Sequence, residues 1–307
     1  MNDFGKVFIA GHTGLVGAAL LRKFAGIDGS RVVTRRRDQL DLTNGAAVKD
    51  FFEEVRPDIV FLAAARVGGI RANAEFPADF IRENLLIQTH VIDSAYRFGC
   101  KKLIFLGSSC IYPRLAKQPI HESELLAGPL EPTNQAYALA KIAGIEMCRS
   151  YRSQFGFDAV AVMPTNLYGP NDNFDPDSAH VIPALMKRLA DAAKCGAEQA
   201  TVWGSGEPRR EFLYVDDLAD ALIFIARQYS GVDLLNIGVG SDVSIAELAQ
   251  TIAGVVGFSG ELVFDRAHPD GTPRKLLDCS RLNSMGWHPT VTLLEGLRRT
   301  WAWYQSK

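Results

Sequence analysis

Tyr137-Ala138-Leu139-Ala140-Lys141 sets a phenol and an ammonium four residues apart at the predicted start of a helix, so both side chains share one face. An ammonium beside a phenol favours the phenolate, and Lys141 is expected to lower the Tyr137 pKa from about 10. Such a tyrosine can exchange a proton with a carbonyl or alcohol oxygen near neutral pH. The spacing also arises by chance, and the alternative is a surface pair on an ordinary helix. Ser108 and Ser109 lie in Gly107-Ser108-Ser109-Cys110-Ile111-Tyr112, directly after a predicted strand. Ligands of doubly wound sheets lie beyond the carboxyl ends of strands, where a serine hydroxyl can polarise the same oxygen. A turn hydroxyl or helix cap is the other reading of these serines.

Gly11-His12-Thr13-Gly14-Leu15-Val16-Gly17 is a G-x-x-G-x-x-G run between a predicted strand and helix. Glycine lets the chain turn tightly and lets a pyrophosphate approach the backbone, while helix N-terminal amides favour the anion. This context points to dinucleotide binding; the alternative is an ordinary glycine-rich turn. Arg35-Arg36-Arg37 follows Gly17 by 18 to 20 residues, where an arginine accommodates a 2′-phosphate and an acid binds a ribose hydroxyl. Three arginines favour NADP(H). Asp38 keeps NAD open, and a solvated basic turn is the alternative to either.

These residues must be held by alternating strands and helices. Strands are predicted at Lys6 to Ala10, Arg31 to Thr34, Ile59 to Ala64, Lys102 to Leu106 and Asp158 to Met163, with helices at Leu15 to Phe24, Asn44 to Val55, Pro77 to near Gly99 and about Ala136 to Phe155. A loop rich in Pro and Glu runs from Tyr112 to Pro132. The pattern implies βαβ units and a parallel sheet. Beyond Pro164 the texture changes: a loop from Pro170 to Pro176, a helix from Ile182 to Cys195, a strand near Thr201 to Trp203, a helix from Val215 to Gln228, a strand from Leu234 to Ile237, then short elements and a closing helix from Leu293 to Tyr304. The expected fold class is α/β, a doubly wound parallel (Rossmann) sheet with a smaller, interleaved C-terminal substrate-binding domain. Residues 1–165 are assigned to the first domain, with 214–240 returning to it, and 166–213 and 241–307 to the second.

The 307 residues suffice to bury a core without staples, and 33 basic against 35 acidic residues exclude the general footprint of a nucleic-acid binder. Five cysteines without C-x-x-C spacing argue against a disulfide framework or zinc site and for a reducing compartment. No metal site is expected. No apolar run approaches the length of a membrane span, and no apolar stretch follows a basic start at Met1 to Lys6, so a cytoplasmic protein without membrane partners is expected.

The chain resembles the extended short-chain dehydrogenase/reductase family and, within it, the GDP-L-fucose synthase branch. The residues carrying this are the glycine run, Ala63-Ala64-Ala65-Arg66-Val67-Gly68-Gly69-Ile70, Phe105 to Pro113, Glu131-Pro132-Thr133-Asn134, Met163 to Pro170, His180 to Leu185, and Val202-Trp203-Gly204-Ser205-Gly206. The resemblance runs essentially end to end. It implies NADPH-dependent 3,5-epimerisation and 4-reduction of GDP-4-keto-6-deoxy-D-mannose to GDP-L-fucose. A colitose-type or 6-deoxy-heptose GDP-sugar epimerase/reductase, an epimerase using nicotinamide transiently or not at all, and a non-catalytic cofactor-binding protein are the alternatives.

By position, the resemblance makes Ser108, Tyr137 and Lys141 a reductive triad and Cys110 and His180 the acid/base pair of epimerisation. It places the cofactor at Gly11, Thr13, Gly14, Leu15, Val16, Gly17, Arg36, Asp41, Leu42, Leu106, Gly107, Lys141, Pro164, Asn166, Leu167 and His180. It places the GDP-sugar at Ser109, Asn166, Arg188, Trp203, Arg210, Lys275 and Asp278. At Thr13 relatives often carry an arginine that helps hold the 2′-phosphate, so the preference for NADPH is expected to be modest. The helix from Ala136 implies a homodimer, pairing with its copy in a four-helix bundle; the alternative is a helix buried within one chain. The chemistry of the extra pair stands on its own: a 4-keto group acidifies C-3 and C-5, and inversion there needs a base on one face and an acid on the other. A thiol with a lowered pKa suits the base, and an imidazole titrating near neutrality suits the acid. The other readings are a buried apolar cysteine and a helix-start cap. Cys100, Cys148, Cys195 and Cys279 read as structural or surface thiols.

Overall fold

The computed structural model describes residues 4–27, 31–175, 179–267 and 270–307. Met1 to Asp3, and Pro176 of the predicted loop, lie outside the described residues. The first part alternates: β1 (Lys6–Ala10), α1 (Leu15–Phe24), β2 (Arg31–Val33), α2 (Gly45–Val55), β3 (Ile59–Leu62), α3 (Ile70–Glu75), α4 (Pro77–Arg97), β4 (Lys102–Leu106), α5 (Gln135–Phe155) and β5 (Ala159–Pro164). There follow β6 (Asn166–Tyr168), α6 (Val181–Lys194), β7 (Gln199–Trp203), β8 (Arg209–Arg210), β9 (Phe212–Tyr214), α7 (Val215–Gln228) and β10 (Leu235–Ile237). The chain closes with β11 (Val243–Ser244), α8 (Ile245–Val256), β12 (Glu261–Asp265), β13 (Arg274–Lys275), α9 (Ser280–Ser284) and α10 (Leu293–Gln305).

Six strands form one parallel sheet in the order β10-β5-β4-β3-β1-β2. Their residues alternate between two cores. Phe8, Val60, Leu62, Leu103, Phe105 and Ala161 pack under α2, α4 and α5. Val7, Ile9, Phe61, Ile104, Val160 and Val162 pack under α1 and α7. Both faces are covered, which is why these strands read as continuous apolar runs. A third core lies among α6, α8, α10, β7 and β12. Among the described residues no helix is long and apolar enough to cross a membrane.

The expected strands and helices of the sheet stand where the pattern put them, with ends moved by one or two residues. Sequence reading did not resolve α3, α8, α9, β6, β8, β9, β11, β12 or β13, and a short 3-10 turn, Glu122–Glu124, interrupts the predicted loop. For α8 a signal existed. Ser244 Oγ accepts from Glu247 N at 3.1 Å and the Glu247 carboxylate accepts from Ser244 N at 2.7 Å, a capping box written as Ser-x-x-Glu.

Candidate active site

The glycine run joins β1 to α1 next to β3, where the strand order reverses direction. Gly11 has φ +87°, and a Cβ there would lie 2.7 Å from Ala64 N; a Cβ on Gly17 would lie 2.2 Å from Gly11 O. The chain itself therefore requires both glycines. Gly14 differs. A Cβ there would meet only Gly11 O at an ordinary 3.6 Å, and Gly14 begins α1 without a side-chain cap. The approach to the first α1 amides is open, as a phosphate requires. His12 packs into this turn with Nδ1 buried and unpartnered among the described residues.

Beyond β2, Arg36 and Arg37 are exposed and loosely held, Arg36 Nε 3.4 Å from Asp38 and Arg37 Nη2 3.6 Å from Glu83. Arg35 instead folds back, donating to the Thr34 carbonyl at 2.9 Å and covering Phe51. The Asp41 carboxylate accepts from Thr43 N and Oγ1, which holds its pKa below the usual range. The Leu42 carbonyl lies 3.1 Å from His90 Nδ1. The open helix terminus and the exposed Arg36 and Arg37 fit a dinucleotide with a 2′-phosphate.

Ser108 stands just past β4 and caps a 3-10 turn, Ser109–Ile111, its Oγ accepting from Cys110 N at 3.4 Å. The Tyr137 phenol and the Cys110 thiol both lie within electrostatic reach of the same hydroxyl. The cap reading of Ser108 therefore holds in the structure. Tyr137 lies in the first turn of α5, edge-on to Phe80 of α4. Lys141, one turn on, is buried. It donates to the Leu106 carbonyl at 2.8 Å and lies 4.9 Å from the Phe105 ring centre and 5.8 Å from that of Tyr137. Burial pushes its pKa down to about 8.

Two expected shifts are corrected. Tyr137 was expected to be lowered by Lys141. Its phenol is raised instead, by burial and by the Cys110 thiol, against the pull of the Ser108 hydroxyl. The lysine faces a carbonyl and ring faces, not the phenolic oxygen. Cys110 was expected to be lowered. Burial raises its thiol, while Lys275, Ser108 and Lys141 pull it back.

His180 is the residue before α6, and its side chain makes no cap hydrogen bond, so the helix-cap reading does not hold. Its side chain reaches solvent, yet surrounding walls desolvate the imidazole and push its pKa below the ordinary value. Arg188, on α6, donates to the Thr201 carbonyl at 3.0 Å and stacks 4.5 Å over Trp203, which is 55% exposed. On β8, Arg210 pairs in register with Lys275 of β13. Lys275 in turn is within electrostatic reach of Cys110, Arg210 and Glu131. Asn166 donates to the Glu211 carbonyl at 2.8 Å. Ser109 is buried in the 3-10 turn. The Asp278 carboxylate caps the turn into α9, accepting from Ser280 N at 2.9 Å, and faces His121.

One residue escaped sequence reading. Glu211 is fully buried, and its carboxylate accepts from Val239 N at 2.6 Å, Gly240 N at 2.8 Å and Leu277 N at 3.0 Å. Its carbonyl accepts from Thr165 and Asn166. It joins the ends of β5 and β10 to β13. The signal was an acid between Arg210 and the apolar Phe212-Leu213-Tyr214, where an exposed carboxylate has no place.

The model of the NAD dependent epimerase/dehydratase family matches residues 7–238. The probable GDP-L-fucose synthase 1 of Oryza sativa subsp. japonica is 58% identical over 301 residues, 98% of this chain and 92% of its own. The GDP-L-fucose synthase of Escherichia coli (strain K12) is 53% identical, covering 97% of this chain and 96% of its own. The GDP-L-colitose synthase of Yersinia pseudotuberculosis is 35% identical over 96% of each. Among solved structures, a GDP-L-fucose synthetase from Naegleria fowleri bound to NADP superposes with a TM-score of 0.91 at 30% identity, covering all of this chain and 95% of that one. A phosphate-ready turn, a Ser-Tyr-Lys set beyond β4 and this end-to-end likeness agree: the chain belongs to the NAD dependent epimerase/dehydratase family.

Proposed function

We propose that this protein converts GDP-4-keto-6-deoxy-D-mannose to GDP-L-fucose, inverting C-3 and C-5 and then reducing the C-4 ketone with NADPH. The observation that carries the reading is the meeting of two chemistries at one hydroxyl: the Tyr137 phenol and the Cys110 thiol both lie within reach of Ser108, whose Oγ accepts from Cys110 N. The identity to GDP-L-fucose synthases over nearly the whole chain supports the substrate. Bound NADPH would supply the hydride. The open α1 terminus would hold its pyrophosphate and Arg36 and Arg37 its 2′-phosphate. Titration with NADPH and NADH tests this, with modestly tighter NADPH binding expected.

Ser108 and Tyr137 donate hydrogen bonds to the C-4 oxygen, so charge gathering there is stabilised during both steps. In inversion, the Cys110 thiolate takes a proton from carbon: the C–H bond breaks, an S–H bond forms, and the electron pair moves to the C-4 oxygen. His180 as imidazolium returns a proton to the opposite face. In reduction, Tyr137 gives its proton to the alkoxide. The exposed indole of Trp203, backed by Arg188, suits a planar base, and Arg210 suits a phosphate. We assign the dimer contact to α4 and α5, supported by exposed Leu139 and Phe155 on α5; light scattering of the chain in solution tests it.

Incubation with GDP-4-keto-6-deoxy-D-mannose and NADPH in deuterated water, followed by NMR of the product, tests the whole reading. GDP-L-fucose carrying deuterium at C-3 and C-5 is expected; a product of unchanged configuration would refute the epimerase half. The colitose reading rests on the 35% relative. A 3,6-dideoxy-4-keto substrate in the same assay separates the two.

A further inference from the structure

Glu83 stands on α4 with its carboxylate shared between two arginines from different parts of the chain. Oε1 accepts from Arg66 Nη1 at 2.6 Å, and Oε2 lies 3.6 Å from Arg37 Nη2. The two ends differ. Arg66 is fixed: its backbone N donates to Asn84 Oδ1 at 3.0 Å, Asn84 Nδ2 donates back to its carbonyl at 3.0 Å, and its guanidinium lies 5.4 Å from the Phe80 ring centre. Asn84 is buried and also donates to the Phe80 carbonyl at 2.7 Å. A second acid serves this end, Asp79 lying 3.4 Å from Arg66 and 3.5 Å from Arg82, while Arg82 is 3.8 Å from Glu83 Oε1. The Glu83 side chain is only 10% exposed, whereas that of Arg37 is 75% exposed. Oε2 of Glu83 is thus a fixed negative charge presented to a mobile cation. Asp38 and Arg36, both mostly exposed, can turn away from each other; Glu83 cannot turn away from Arg37.

We propose that Glu83 is a specificity-determining residue for the cofactor: its carboxylate competes with the 2′-phosphate for Arg37 and so holds down the preference for NADPH over NADH. The proposal deepens the cofactor reading given above and rests on it. A phosphate monoester carries nearly two negative charges near neutral pH, and a ribose 2′-hydroxyl carries none. Bringing the phosphate to Arg37 therefore draws the guanidinium from Glu83 and sets like charge near a carboxylate that is held in place. NADH meets neither cost. An exposed arginine–carboxylate pair is weak, so the effect is a few-fold adjustment and not a switch. Thr13 leaves the phosphate with fewer cations, and Glu83 engages one of those that remain.

The test is fluorescence titration of the full chain with NADPH and with NADH, at low ionic strength and without sugar nucleotide. The chains compared are the wild type, Glu83→Gln, Glu83→Leu, Arg37→Gln and the double variant Glu83→Gln/Arg37→Gln. In both neutral Glu83 variants NADPH should bind about two- to fivefold tighter, with NADH affinity unchanged. Unchanged NADH binding also reports an intact fold, because NADH uses the same glycine turn. Arg37→Gln should weaken NADPH binding, and adding Glu83→Gln to it should gain less than Glu83→Gln gains alone. NADPH binding that is unchanged or weaker in either neutral variant, an equal shift for the two cofactors, or an undiminished gain in the double variant overturns the proposal and leaves the cofactor reading standing. If Arg37→Gln leaves NADPH affinity unchanged, the placement of the 2′-phosphate falls, and the role of Glu83 falls with it.

Discussion

Tyr137 stays protonated through neutral pH because burial opposes the phenolate more strongly than the Ser108 hydroxyl favours it. For the proposed reduction this is the useful state, since there the phenol would be the donor. Tyr137→Phe keeps the ring and removes the proton; ketone reduction should fall about a hundred- to ten-thousandfold with cofactor binding retained. Near wild-type turnover in that variant would remove Tyr137 from the mechanism. Cys110 and His180 are shifted in opposite directions, the thiol up and the imidazole down, both by burial. At neutral pH the resting pair is thus thiol and neutral imidazole, and the thiolate and imidazolium that the proposed inversion uses are a minor form. As pH falls below the His180 pKa, imidazolium is complete and thiolate keeps falling. As pH rises above the Cys110 pKa, thiolate is complete and imidazolium keeps falling. Between them the product is constant. The rate of deuterium exchange should show a flat top across neutrality, broader than ordinary values of about 6.5 and 8.5 would give. A narrow optimum inside those values would contradict the assignment. Residue types and spacing made these groups legible in the sequence. Their ionisation was not, because desolvation depends on what the fold packs around them.

At the scale of elements, the site depends on very short strands tied to long ones. Glu211 is the tie. Its carboxylate meets three backbone N–H groups, so it must accept at every contact. Glu211→Gln turns an NH₂ toward one of those donors and leaves it unsatisfied. That costs about 1 to 3 kcal/mol and should lower the denaturation midpoint without a new intermediate. A variant as stable as wild type would mean that the three segments hold without this carboxylate. The long, doubly covered strands and capped helices were readable from period and punctuation, down to Val215–Gln228. The pairs β8–β13 and β6–β9 were not, because two or three residues carry no period and their partners lie far along the chain.

Across the whole molecule, the central sheet is not finished by its first five strands. Leu235 of β10 pairs with Val162 of β5, and α7 supplies much of the core that covers Ile104, Val160 and Val162. A chain growing from the ribosome therefore emerges with a bare apolar sheet face and an unpaired edge at β5 long before the segment that closes both has been made. The nascent protein should remain sensitive to protease, and dependent on chaperones that shield apolar surface, until Ile237 has left the exit tunnel. Stalled chains of graded length, probed by brief proteolysis, would show it: protection of β1 to β5 should appear in one step once β10 is exposed. If a chain ending at Pro164 were already protected, the sheet would be self-sufficient and its last strand an ornament of the finished fold.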